Sequence, residues 1–119
     1  MERVNLSSSS SISRIIYGMW RLADDINTSS KHISDKVNLC LGQGITSFDQ
    51  AAVYGLYSAE ALFGEVLKVN PSLRHEIEIV SKCGIVNPSD RYAGVSVSHY
   101  DTSREHIFNS VDASLKNMA

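Results

Sequence analysis

"ITSFDQAAVYG", residues Ile45 to Gly55, decides how the rest of the chain is read. It opens as an apolar, β-favouring run and ends in a loop of small residues, so it reads as a strand followed by a turn. Asp49 stands where the strand ends. Aspartate is poor strand material, and a partly buried carboxylate is costly unless something pairs with it. The ordinary roles for such a residue are to start a turn or cap a helix. Tyr54, five residues further on, gives that carboxylate a second polar neighbour to account for.

Upstream, glycines at Gly42 and Gly44 stop a helix that starts at Ser29 or Ser30. Ile33, Val37, Cys40 and Leu41 form the apolar stripe of that helix. Before it, "ISRIIYG" reads as a buried strand ended by Gly18. Residues 1–11 hold a short strand, "RVNL", and a serine-rich connector to the body of the domain. Downstream, Ser58 is positioned to cap a second helix with Ala59, Leu62, Phe63, Val66 and Leu67 on its apolar face, ended by Asn70-Pro71. "IEIVSKCG" gives a third strand, and a long connection runs from Ile85 to Asp101. "TSRE" has capping-box spacing from Thr102 to Glu105. Ile107, Val111, Leu115 and Met118 then continue a third helix. "GQGITS" is no dinucleotide fingerprint, since it follows a helix and lacks the third glycine.

Three strand-then-helix units in alternation predict a parallel sheet with right-handed crossovers. Both a small open sheet and the opening units of a (β/α)8 barrel fit. The 119 residues cover less than half of the roughly 250 that a barrel needs, so length alone favours the open sheet.

Composition narrows the function. Hydrophobic residues make up 43% and charged residues 20%, with a formal net charge of −2, which describes a globular chain. No basic block is present, so neither nucleic acid nor a membrane surface is an expected partner. No apolar run approaches a membrane span, and "MERVNLSSSSS" has no signal core, so a cytoplasmic protein is expected. Cys40 and Cys83 read as free thiols, Cys83 as a small packing residue.

In parallel α/β folds, chemistry gathers at the carboxyl ends of the strands. Those ends read "GMWRL", "DQAAVYG" and "SKCG", which brings Trp20, Asp49, Tyr54 and Lys82 to one rim. Singly, Lys82 is an ordinary solvated lysine and Trp20 an ordinary packing residue. Together the residues suit a specific chemistry. A phenol ionises near pH 10, too high for efficient proton donation at neutral pH. A neighbouring ammonium favours the phenolate, and a carboxylate beside the lysine keeps it charged. Tyr54 can thus act as a general acid toward a developing alkoxide. The matching hydride comes from no side chain, which implies a nicotinamide cofactor.

On these residues the sequence resembles the aldo-keto reductases. The pattern D-x-A-x-x-Y-G is met by Asp49, Ala51, Tyr54 and Gly55, and E-x-x-x-G by Glu60 and Gly64. "IVSKCG", "GMWRL" and "HYDTSREHIFNSVDASLKN" follow the family in order, from about Ile12 onward. The resemblance implies an NADP-dependent oxidoreductase that reduces small-molecule aldehydes and ketones on a (β/α)8 TIM barrel. Residues 1–119 would be its N-terminal part, holding three β/α units. Tyr54 would be the proton donor, Lys82 its partner and Asp49 the lysine's counter-ion. Met19, Trp20 and Asp49 would lie near the bound NADPH, and Trp20 and Tyr54 would face the substrate. The family's histidine after the fourth strand has no counterpart, because His32, His75, His99 and His106 all precede that point. A non-catalytic nucleotide-binding or structural α/β module is the alternative.

Overall fold

The structure is a computed structural model that describes residues 1–119. It opens with two short strands, β1 (Arg3–Asn5) and β2 (Ser11–Ser13), paired antiparallel with Val4 opposite Ile12. The serine run is therefore the turn of a hairpin instead of a connector to the domain. Leu6 N–H donates to the Ser10 carbonyl, and the Ser7 and Ser10 hydroxyls lie 2.9 Å apart. Short hydroxylated side chains that bond locally favour such turns.

"ISRIIYG" is likewise not one strand. Its first part belongs to β2, and β3 spans only Ile16–Gly18. The break has a cause in Ser13, which is fully buried and accepts from the Ser47 N–H (3.1 Å) while donating to the Ile15 carbonyl (2.7 Å). Side-chain bonds of this kind compete with strand continuation. Ile15 and Ile16 face solvent, so the segment is not the buried strand its composition suggests.

A 3-10 turn, Leu22–Asp24, leads to helix α1 (Ser30–Gly42), whose N-cap Ser29 accepts from the His32 N–H. Strand β4 (Ser47–Asp49) follows, then α2 (Ala59–Val69) and β5 (Glu78–Val80). The strands β3, β4 and β5 form a parallel sheet in sequence order, with Gly18 opposite Asp49 and Asp49 opposite Val80. The central strand contributes Phe48, buried against Phe63 of α2 at 5.8 Å between ring centroids. Ile33, Val37 and Cys40 of α1 complete this side of the core, and burial pushes the Cys40 thiol up from its ordinary pKa.

Ser58 does stand at the N-cap position of α2, but its hydroxyl donates to the Gly55 carbonyl (2.6 Å), holding the preceding loop instead of making a cap bond. The long connection after β5 contains a second hairpin, β6 (Ile85–Val86) and β7 (His99–Tyr100). Helix α3 (Arg104–Met118) is capped by Ser103, which accepts from the His106 N–H, and not by Thr102 with Glu105. Asp101 selects the cap by accepting from the Ser103 N–H at 2.9 Å.

On α3, Met118 is buried, whereas Ile107, Val111 and Leu115 face solvent. A groove of about 210 Å³ runs between this stripe and the β5 side of the sheet, lined by Ile79, Cys83, Val111 and Leu115. Cys83 is exposed there, so it is not a packing residue. The outer edges of β3 and β5 have no strand beside them in this sheet. Such a half-covered face suits a sheet that continues beyond three strands.

Candidate functional site

The site is assembled by the hydrogen-bonded ends of the parallel strands. Past the last paired residues, the Gln50 N–H donates to the Val80 carbonyl (2.7 Å) and the Ala52 N–H to the Lys82 carbonyl (2.9 Å). On the other flank, the Met19 N–H donates to the Asp49 carbonyl (2.9 Å). These bonds set the three strand tips side by side, so residues distant in sequence share one rim.

Lys82 Nζ donates to Asp49 Oδ1 at 2.5 Å and to the Gln50 carbonyl at 2.8 Å. The chain after Asp49 makes one tight turn, with the Tyr54 N–H donating to the Ala51 carbonyl. That turn returns the Tyr54 hydroxyl to Asp49 Oδ2 at 3.1 Å. Each carboxylate oxygen thus takes one partner. Lys82 Nζ also sits 4.9 Å from the centre of the Tyr54 ring. Lysine and tyrosine are joined through Asp49. This answers why an aspartate ends β4: its charge is paired across the sheet.

Partial burial works against the charge on Lys82. The Asp49 carboxylate and the Tyr54 oxygen outweigh it and raise the lysine above its ordinary pKa. Lys82 is therefore an ammonium at neutral pH, and its side chain is 47% exposed, open to a ligand.

Tyr54 of the trio lines an open cleft of about 750 Å³, shared among others with Trp20, Asp24, Val53, Ile85 and Asn87, while Lys82 lines the groove beside α3. That volume lies within the range of small-molecule sites. Trp20 is 65% exposed, with the Arg21 guanidinium 5.5 Å from its ring, so its indole serves the cleft rather than the core. Met19 behaves differently. Its side chain is buried, its N–H is used by Asp49, and its carbonyl accepts from Leu22. Only a second lone pair of that carbonyl is left for a ligand.

The conformation or the contacts of several residues around the site escape sequence reasoning. Gly55, Leu56 and Tyr57 are all in the left-handed region, with φ of 59°, 50° and 72°. A Cβ at position 55 would come within 2.5 Å of the Ala23 Cβ, so glycine is required there. For Leu56 and Tyr57 this conformation costs about 1–3 kcal/mol each. Gln50 is wholly buried, its Nε2 near Met19 Sδ (3.1 Å) and the Ala59 carbonyl (3.3 Å), while its Oε1 has no partner. Glu60, visible only as a pattern residue, is buried and uncompensated by any cation. Its carboxylate accepts from Ser81 Oγ (2.6 Å), Ser114 Oγ (2.8 Å) and Asn117 Nδ2 (3.4 Å), tying α2 to α3 and to the end of β5. No local spacing announces partners that lie 54 and 57 residues away.

Comparison with known proteins gives the family. The model of the aldo/keto reductase family matches residues 14–119. A 6-dehydroglucose reductase from Agrobacterium fabrum is 53% identical over 118 residues, 99% of this chain and 40% of that protein. The oxidoreductase YdhF of Escherichia coli is 45% identical over 107 residues, 90% of this chain and 35% of that protein. Among solved structures, a proposed aldo-keto reductase from Pseudomonas aeruginosa superposes with a TM-score of 0.78 at 26% identity, covering 98% of this chain and 42% of that one. A holo-form aldo-keto reductase from Bacillus halodurans shares the fold, with a TM-score of 0.74 at 24% identity over 99% of this chain and 36% of that one. The chain spans about 40% of the length of its curated relative from Agrobacterium. Its three β/α units are those of a partial (β/α)8 barrel, and the chain belongs to the aldo/keto reductase family of oxidoreductases.

Proposed function

We propose that an enzyme of full family length carrying these residues reduces aldehydes and ketones to alcohols, with Tyr54 as proton donor and NADPH as cofactor. The reading is carried by one observation: the Tyr54 hydroxyl and the Lys82 ammonium meet on the same Asp49 carboxylate beside the cleft. The Tyr54 O–H points at Asp49, and rotation about its C–O bond turns the proton toward a carbonyl oxygen in the cleft. Donation leaves a phenolate, whose charge the adjacent ammonium offsets without any group having to move in. Asp49 holds that ammonium in place and keeps it protonated. Trp20 lines the same cleft.

The rim's donor set suits the nicotinamide end of the cofactor. Trp20 offers an exposed aromatic face, Asp49 an acceptor for a ribose hydroxyl, and Met19 its carbonyl. When bound, that cofactor supplies the hydride. The relative named a 6-dehydroglucose reductase points to sugar-derived carbonyl compounds as the substrate class. Two unbridged cysteines suit a reducing compartment and so a cytoplasmic enzyme.

The test is NADPH oxidation by the family-length enzyme, the units beyond residue 119 coming from the parent reading frame or from the Agrobacterium relative. Aldehyde-dependent oxidation, matched by alcohol formation and faster with NADPH than with NADH, is expected. No oxidation above the cofactor-only rate with any aldehyde or ketone would overturn the reading.

A further inference from the structure

The left-handed run that follows Tyr54 is held in place by what Tyr57 touches. The Tyr57 hydroxyl donates to the Ile85 carbonyl (3.1 Å) and accepts from the Asn87 N–H (2.8 Å). Its ring lies edge-on to Tyr92 at 5.2 Å, with the Arg91 guanidinium 5.2 Å away. Unfavourable backbone persists where such surroundings over-determine it. One phenol thereby fastens residues 85–87, the start of the excursion between β5 and α3, to the loop that carries Tyr54.

Ile85 and Asn87 line the cleft together with Trp20 and Tyr54. Both backbone polar groups of Asn87 are occupied, the N–H by Tyr57 and the carbonyl by the Ser89 hydroxyl (3.1 Å). Its carboxamide forms no hydrogen bond within the chain, although the residue is half-buried. A carboxamide offers both donors and an acceptor, which is what a hydroxyl requires of a partner.

We propose that Asn87 is a specificity-determining residue that hydrogen-bonds a hydroxyl of the substrate and selects hydroxylated aldehydes and ketones over their deoxy counterparts. Tyr57 is the positioning residue that holds Asn87 at the cleft. This inference rests on the carbonyl-reductase reading above, and it places substrate choice partly on a segment outside the Asp49–Tyr54–Lys82 trio.

The experiment compares glyceraldehyde with propanal, the same carbon skeleton with and without hydroxyls, in the family-length enzyme. The wild type is expected to favour glyceraldehyde in kcat/KM. Asn87→Ala should lower the glyceraldehyde-to-propanal ratio about tenfold, the scale of one lost hydrogen bond, mainly through KM. Tyr57→Phe, which keeps the ring contacts and removes the bridging hydroxyl, should shift the ratio the same way by less. A ratio unchanged in Asn87→Ala, or a fall of both substrates in step, overturns the inference while the reductase reading stands. A wild type that reduces neither aldehyde with NADPH overturns both.

Discussion

Tyr54→Phe is expected to lower kcat for carbonyl reduction by about 10³-fold, within the 10²–10⁴ range that a positioned proton donor contributes. The substitution keeps the ring beside Lys82 and removes only the oxygen that lies 3.1 Å from Asp49. Core packing is left alone, because Tyr54 is a partly buried residue at the edge of the core. Asp49 and Lys82 keep their own 2.5 Å contact, so the rim stays assembled and NADPH should bind as in the wild type, followed by fluorescence titration. The pairing of slow turnover with intact binding separates a lost proton donor from a collapsed site. Turnover close to wild type would remove Tyr54 from the reaction.

The second large effect is on stability. A methyl group at Gly64 would come within 1.9 Å of the Asn117 carbonyl oxygen on α3, a contact that no rotamer can relieve. Gly64→Ala therefore forces α2 and α3 apart, at a cost of about 3 kcal/mol or more. The separation also withdraws Ser114 and Asn117 from the buried Glu60 carboxylate, which is left with Ser81 alone. At about 2–4 °C per kcal/mol for a domain of this family's size, thermal melting should fall by roughly 6–12 °C. An unchanged melting temperature would show that the helices can slide to accommodate the methyl. The glycine of the E-x-x-x-G pattern is thus explained by helix approach, and its glutamate by the network that the approach closes.

What the sequence made legible was the part written in periodicity and punctuation. The alternation of the parallel strands with the helices, the start of α1 at Ser29 or Ser30 and the aspartate at the end of β4 all follow from local rules, and they hold. The rim residues were legible because parallel strands bring their carboxyl ends together whatever lies between. Competition between nearly equal local choices was illegible. In "DTSRE", Thr102 and Ser103 both have cap chemistry, and only the Asp101 carboxylate on the Ser103 N–H decides between them. In "ISRIIYG", the apolar letters favour one strand, but Ser13 bonds across to Ser47 and ends β2 early. The serine run became a hairpin turn because Val4 and Ile12 could pair. Tyr57 was invisible because a left-handed aromatic has no sequence mark. Its partners, Ile85 and Asn87, lie at least 28 residues away.

A double-mutant cycle on Tyr54 and Lys82 addresses most directly whether the rim trio works as one proton-donating unit. If Lys82 acts on the reaction only by offsetting the charge left on Tyr54, then Lys82→Met slows the wild type severely. Added to Tyr54→Phe, the same change slows the enzyme little further, since groups that act together are strongly non-additive. Single-turnover rates for the two single variants and the double variant supply the answer. A double variant about as slow as Tyr54→Phe alone is the predicted result, and losses that multiply would show two independent roles and contradict the account.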